Sequence, residues 1–202
     1  MKMLKQDKYW GNVGDIRLDD SATNESEVTL LNNRIYFYSE VTRPQCLALN
    51  KNIQTLSDAM CTNSHNYDIP VPPIRLHINS YGGSVFAGLS SVDYIISSKA
   101  PVHSVVEGCA ASAATLMSVV AEKRYIHRNS FMLIHQLSSG MWGKFEELKD
   151  SIENCEILMQ TIRDIYGKHT QIPKKKLDEI LKRDLWFDAD TCLKYGLVDE
   201  II

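Results

Sequence analysis

The stretch that decides the fold is Ile74-Arg75-Leu76-His77-Ile78-Asn79-Ser80-Tyr81-Gly82-Gly83. Residues 74–78 alternate apolar and polar side chains, as a β-strand does, and the glycine pair ends the strand in a turn. Apolar residues then recur at helical spacing over residues 86–96, and residues 102–106 have strand character after Pro101. A strand, a turn, a helix and a second strand predict a parallel unit, which places the chain in the α/β class.

The α/β pattern extends on both sides of this unit. Upstream, residues 34–38 have the aromatic and branched content of a strand, and residues 44–60 suit a helix with Pro44 in its first turn. Residues 61–73 hold Asn, Ser, His, Asp and three prolines, which predicts a surface loop or insertion. Downstream, the sequence predicts helices over residues 111–121, 174–182 and 189–195, and short strands over residues 124–127 and 131–134.

One segment stands apart because its apolar residues keep a strict three-four spacing over three heptads. This seam consists of Phe145, Leu148, Ile152, Cys155, Met159, Ile162 and Tyr166. At about 1.5 Å per residue, such a helix is longer than a compact domain of this size needs. The spacing therefore predicts a helix that projects and packs against another subunit, with an ordinary amphipathic core helix as the alternative.

Length and composition predict one domain that follows a polar arm. The chain has 202 residues with 44% apolar content, which is enough for one sizeable core. Residues 1–27 are polar and contribute little to a core, so we expect an N-terminal arm there and a single domain over residues 28–202.

Charge and cysteine usage argue against several classes of function. The net charge of −3 comes without a basic stripe, which argues against nucleic-acid binding. The five cysteines contain no Cys-x-x-Cys pair, so we expect reduced thiols and neither a disulfide framework nor a zinc site. We expect no other metal and no cofactor. The N-terminus lacks a secretion signal and no apolar run reaches membrane-spanning length, which predicts a cytoplasmic protein without membrane contact.

Ser112 is the candidate nucleophile. It lies in Gly108-Cys109-Ala110-Ala111-Ser112-Ala113-Ala114, where the small neighbours leave room for the backbone of a substrate. His135 and Asp184 follow later in the chain. Serine, imidazole and carboxylate are the three parts of a charge-relay nucleophile.

Acyl transfer also needs N–H donors for an oxyanion, and the sequence offers two. Ser112 at a predicted helix N-terminus directs the Ala113 N–H towards a developing charge, and Gly83 in the glycine turn offers a second, unobstructed N–H. Taken singly, Ser112 could be a helix cap, His135 a core histidine and Asp184 part of a surface ion pair. Their joint occurrence with the glycine turn favours catalysis.

With these motifs in this order, the chain resembles the proteolytic subunit of the Clp protease, a serine peptidase of the crotonase-like ββα fold, over roughly residues 28–202. The resemblance is carried by Ile78-Asn79-Ser80-Tyr81-Gly82-Gly83 with Gly88, Gly108-x-Ala110-Ala111-Ser112, Ile134-His135-Gln136, His169-Thr170, Arg183-Asp184 and Tyr195-Gly196-Leu197-Val198-Asp199. It implies a crotonase-like superhelix with a projecting handle helix, the handle covering about residues 137–168.

The resemblance also implies an activity and an assembly. It makes Ser112 the nucleophile, His135 the general base and acid, and Asp184 the orienting carboxylate. It places the oxyanion on Gly83 and Ala113. It further implies that the handles join two heptameric rings around a chamber, and that a separate Clp-type AAA+ unfoldase supplies unfolded polypeptide.

Three positions depart from the family pattern. Tyr81 replaces the usual Pro before the glycine pair, Ala113 the usual Met after the nucleophile, and Leu137 the usual Pro after His-Gln. The change at Ala113 keeps the N–H but removes a side chain from the pocket wall, so side-chain preference can differ while the chemistry survives. The resemblance also shows a stretch from Ser112 to His135 that is shorter than in typical members. Together with the insertion over residues 61–73 and the N-terminal arm, it predicts a divergent member of viral type.

Three other functions stay open on the sequence alone. A phage head-maturation protease would use the same chemistry to cut capsid or scaffold proteins at limited sites. A non-catalytic ring scaffold of the same fold would not react with a fluorophosphonate at Ser112. A crotonase-like acyl-CoA enzyme would use paired N–H donors and would still turn over CoA thioesters after Ser112→Ala.

Overall fold

The computed structural model describes residues 28–202, so the predicted arm over residues 1–27 lies outside the described residues. The strands are β1 (Val28–Leu31), β2 (Arg34–Phe37), β3 (Ile74–Ser80), β4 (Val102–Ala111), β5 (Lys123–Ile126), β6 (Phe131–Leu133), β7 (Trp186–Phe187) and β8 (Glu200–Ile201). The helices are α1 (Arg43–Tyr67), α2 (Val85–Ser97), α3 (Ala113–Val119), α4 (Phe145–His169), α5 (Lys174–Leu181) and α6 (Ala189–Lys194). Over this range no helix is both long enough and apolar enough to span a bilayer.

The strands form one mixed sheet, which confirms the predicted α/β class. Its main path runs β1-β2-β3-β4-β5-β8, with β1 antiparallel to β2 and the other neighbours parallel. A parallel pair needs a crossover, and α2 is the crossover between β3 and β4. Val92 and Ile95 form the buried face of α2, whereas Phe86 and Ile96 are exposed.

β4 bends and serves two parts of the sheet. Its first half pairs with β3 and β5, the chain turns at Gly108 (φ +71), and residues 109–111 pair with β6. The sequence predicted a strand that ends at residue 106 and a helix from residue 111. The strand instead continues to Ala111, because a second ladder to β6 begins after the bend, and α3 starts at Ala113.

α1 is longer than the sequence predicted. The prediction of a loop over residues 61–73 was wrong for residues 61–67, which belong to this helix. Asn, Ser and His lower helix propensity by only up to about 0.7 kcal/mol per residue, so they do not break a helix that is already packed. The helix ends at Tyr67, and the residue that follows, Asp68, is left-handed (φ +50) and donates its N–H to the Ser64 carbonyl. The loop is therefore confined to residues 68–73.

α4 is the predicted long helix. Its 25 residues span about 37 Å at about 1.5 Å per residue. Ile162 and Tyr166 are buried near its C-terminal end, whereas Phe145 is 70% and Ile152 is 53% exposed. The C-terminal half packs on the core, as the alternative of an amphipathic core helix would. The N-terminal half leaves apolar side chains uncovered, as expected of the predicted projecting helix. Packing of this half against another subunit stays a prediction.

Candidate active site

Ser112 occupies a sharp turn between β4 and α3. Its backbone has φ +54 and ψ −127, a conformation that is rare outside glycine and costs on the order of 1–3 kcal/mol. Its N–H donates to the Leu133 carbonyl at 2.9 Å, which holds the turn against β6. A strained strand-to-helix turn with a serine at its tip has the geometry of a nucleophile elbow, although the sequence lacks the Gly-x-Ser-x-Gly motif.

Gly82 packs directly against this turn. It has φ +95, and a Cβ at this position would lie 2.6 Å from the Ala111 carbonyl oxygen and 2.7 Å from the Ser112 Cβ. Only glycine tolerates both the conformation and the approach. The first glycine of the pair after β3 is therefore a packing requirement of the Ser112 turn.

A hydrogen-bond chain links the same turn to α4. The Thr115 Oγ1 donates to the Ser112 carbonyl at 2.6 Å and is also bonded to the Tyr166 hydroxyl. Because Thr115 has one hydroxyl proton and uses it on Ser112, Tyr166 is the donor in the second bond. Burial raises the pKa of Tyr166, which keeps the phenol protonated as that donor. The buried end of the long helix is thus connected to the serine turn.

β6 and β7 bring His135 and Asp184 together. In this antiparallel pair Leu133 lies opposite Trp186. Two residues after Leu133 comes His135, and two residues before Trp186 comes Asp184, so the two side chains meet just beyond the paired strands. The His135 Nδ1 and the Asp184 Oδ1 are 3.0 Å apart, with the imidazole 11% and the carboxylate 53% exposed. The carboxylate favours the tautomer with its proton on Nδ1, which makes Nε2 the nitrogen that can act as a base.

The two predicted oxyanion donors lie on the same cleft as Ser112. Gly83 (φ +147) forms a β-bridge with Val41, which fixes the glycine loop. Ala113 is the first residue of α3, where a backbone N–H has no partner within the helix. Neither N–H is a donor in the hydrogen bonds of residues 28–202. Both can therefore receive an anion.

This active-site cleft has a volume of about 440 Å³, and both Ser112 and His135 line it. Asp184 is not part of the lining, because it contacts the Nδ1 side of the imidazole. Six apolar side chains of the lining are here called the apolar wall: Val85, Phe86, Leu116, Leu137, Leu158 and Ile162. A site that cleaves an acyl donor with an apolar side chain needs a hydroxyl, an imidazole, two N–H groups and an apolar wall, and this cleft contains all of them.

A second polar cluster, which the sequence did not reveal, surrounds Glu107. The His77 Nδ1 lies 2.7 Å and the His127 Nε2 3.2 Å from its Oε1, and the Tyr38 hydroxyl donates to its other oxygen. Burial raises the pKa of Glu107, but hydrogen bonds from Tyr38 and His77 outweigh it and the pKa is lowered overall. Burial and Glu107 together raise the pKa of Tyr38 to about 12. The cluster joins separate strands, so spacing along the chain does not signal it.

The part of the chain that the structure describes contains no group of three or more His, Cys, Asp or Glu side chains arranged to hold a metal ion. The cluster at Glu107 is therefore held by hydrogen bonds. All five cysteines are free thiols.

Comparison with known proteins finds one family. The family model described as Clp protease matches residues 26–202. The chain is similar to the ATP-dependent Clp protease proteolytic subunit of Deinococcus radiodurans, at 36% identity over 135 residues, and to subunit 2 of Treponema pallidum, at 34% over 132 residues. These alignments cover 66% and 64% of this chain and 66% of each relative, just under two thirds of the relatives' length. Among solved structures, a mutant of ClpP1 from Listeria monocytogenes matches with a TM-score of 0.73 at 25% identity, over 85% of this chain and 91% of that chain.

Proposed function

Because this chain belongs to the Clp protease family, we propose that it is a serine endopeptidase, the proteolytic subunit of a Clp-type protease. The observation that carries the proposal is the 3.0 Å contact between His135 and Asp184 beside a cleft that Ser112 also lines. An imidazole held by a carboxylate, in the same cleft as a strained serine, supplies the parts that turn an alcohol into a nucleophile.

Hydrolysis proceeds through an acyl-enzyme. The His135 Nε2 takes the hydroxyl proton of Ser112 while the serine Oγ bonds to the scissile carbonyl carbon. The N–H groups of Gly83 and Ala113 bind the oxyanion that forms. His135 then gives its proton to the amine as the carbon–nitrogen bond breaks. His135 then deprotonates a water molecule as it attacks the acyl carbon, and returns that proton to the Ser112 Oγ as the acyl–oxygen bond breaks. Asp184 stabilises the imidazolium in both steps.

The substrate we propose is unfolded polypeptide. The apolar wall of the active-site cleft favours a large apolar side chain next to the scissile bond. An extended chain presents such a side chain together with its carbonyl, whereas a folded protein does not. Folded substrates would therefore need a separate Clp-type AAA+ unfoldase, and short peptides would need none. We place this activity in the cytoplasm.

The exposed apolar half of α4 is the surface through which we propose that stacked rings assemble. Ile152→Asp should dissociate the rings and lower peptidase activity together, because a carboxylate in an apolar contact is strongly unfavourable and because α4 is bonded to the Ser112 turn. Native mass spectrometry and a peptidase assay on the same sample measure both effects. Asn154→Asp adds the same charge at an exposed position outside the seam and should change neither. Full activity in a dissociated Ile152→Asp sample would contradict the coupling.

A fluorophosphonate probe tests the catalytic assignment. The wild type is expected to take up the label at Ser112, mapped by peptide mass spectrometry, and to lose hydrolysis of a fluorogenic peptide in parallel. Ser112→Ala should take up no label. Ser97→Ala, at an exposed serine at the end of α2, should label as the wild type does. Label at a different serine, or hydrolysis that survives Ser112→Ala, would overturn the assignment.

A further inference from the structure

Among residues 28–202, Tyr81 lines three clefts, the third of which also includes Tyr38 and Glu40. The first is the active-site cleft. The second, here called the aromatic cleft, has a volume of about 350 Å³ and is lined by Asn79, Tyr81, Gly108, Cys109, Phe131 and Trp186. Tyr81 is 68% and Phe131 is 44% exposed, so the rings are uncovered.

Two residues of the aromatic cleft lie on the strands that lead to His135 and Asp184. Phe131 of β6 precedes His135 by four residues, and Trp186 of β7 follows Asp184 by two. Cys109 lies opposite Phe131 in the β4–β6 pair. At about 3.3 Å per residue, the aromatic cleft is therefore roughly 7–13 Å along the strands from the imidazole–carboxylate pair.

The walls of this cleft suit an apolar ring. The Tyr81 and Trp186 rings pack edge to face, with centroids 6.3 Å apart and planes at 84°. At the base, the Cys109 Sγ contacts the Asn79 Oδ1 at 3.7 Å, and burial raises the pKa of this thiol, which keeps it neutral at pH 7. No charged side chain is among the lining residues from the described part of the chain. Such a site favours aromatic and large aliphatic groups over charged ones.

We propose that the aromatic cleft is a second side-chain subsite of the peptidase, which takes an aromatic or large aliphatic side chain of the bound polypeptide two to four residues from the scissile bond. The inference rests on the proposed peptidase function. Two to four residues of extended chain span about 7–13 Å, which matches the separation along the sheet. Tyr81, which lines both the active-site cleft and the aromatic cleft, then contacts the substrate between the two side chains.

Matched peptides test the subsite. The series carries either Phe or Ala at each of the four positions on both sides of one cleavable bond, and kcat/KM is measured for each pair. The wild type should prefer Phe about tenfold at one of the second to fourth positions. Phe131→Ala, which removes a wall, and Cys109→Met, which fills the base, should each bring that Phe/Ala ratio close to one. Tyr94→Ala removes an exposed aromatic ring of α2, 42% exposed, and should keep the wild-type ratio.

The outcomes separate the subsite from the peptidase itself. A ratio that neither Phe131→Ala nor Cys109→Met changes, in protein that still labels with fluorophosphonate at Ser112, overturns the subsite and leaves the peptidase standing. A wild type that cleaves none of the peptides and takes up no label overturns the proposed function and the subsite with it. A change in assembly mass in Phe131→Ala without a change in the ratio assigns this face to contacts between copies of the chain, which also overturns the subsite.

Discussion

Replacing Ser112 by alanine is expected to lower kcat for a peptide substrate by roughly 10⁶-fold, and adding His135→Ala should lower it little further. In the proposed mechanism the two side chains act as one unit. Without the hydroxyl the imidazole has no proton to remove, and without the imidazole the hydroxyl is a poor nucleophile at neutral pH. The rate that remains comes from the N–H groups of Gly83 and Ala113 and from substrate binding, which neither change removes.

Steady-state kinetics on the two single variants and the double variant measure this effect. His65→Ala is the matched control, because His65 is exposed in the last turn of α1, and it should keep the wild-type kcat. Unchanged fluorescence and unfolding midpoints would show that the variants fold normally. Losses that multiplied in the double variant would mean that the two residues act independently, which is incompatible with a relay.

Gly82→Ala is expected to lower the free energy of unfolding by roughly 3 kcal/mol and kcat/KM by roughly 100-fold. The added Cβ meets the Ala111 carbonyl at 2.6 Å and the Ser112 Cβ at 2.7 Å, and the residue would have to keep φ +95. Both contacts are with the chain at the serine turn itself, so relief of the clash displaces the nucleophile. Urea unfolding and peptidase kinetics measure the two effects.

Gly167→Ala is the matched control for Gly82→Ala. Gly167 lies within α4 and is exposed, and a methyl group added there would meet no atom of another segment within 4 Å. Alanine there should raise the free energy of unfolding by about 0.5–1 kcal/mol, because it restricts the unfolded chain and suits a helix. A Gly82→Ala variant with wild-type stability and activity would contradict the close packing of the glycine loop against Ser112.

Patterns along the sequence predicted the elements that repeat a buried face. β3 alternates over several residues and α4 keeps its apolar spacing over many turns, so each provides enough positions for a period to be recognised. α1 was predicted too short, because weak helix formers at its end were read as a loop. Local composition underestimates a helix whose earlier turns are already packed, with Leu49 and Ile53 buried.

The candidate site was predicted by residue type but not by geometry. β7 has two residues, Trp186 and Phe187, and no period can be read from two positions. Yet this short strand sets the register that places Asp184 against His135. The positive φ of Ser112 likewise has no sequence signal, because serine carries a Cβ and gives no hint of a left-handed turn. The prediction that Ser112, His135 and Asp184 act together therefore rested on the order of the motifs along the chain and not on local physical signals.

The pairing of β6 with β7 makes residues 136–183 an excursion that leaves and rejoins the sheet at adjacent positions. The Gln136 N–H donates to the Leu181 carbonyl at 2.6 Å, which closes the excursion at its neck. Insertions or deletions in the exposed part of this excursion, before the buried Ile162, change the length of a protruding segment but not the spacing between imidazole and carboxylate, and closing a longer loop is only slightly less favourable. The length of this protrusion can therefore vary without altering the His135–Asp184 pair at its base.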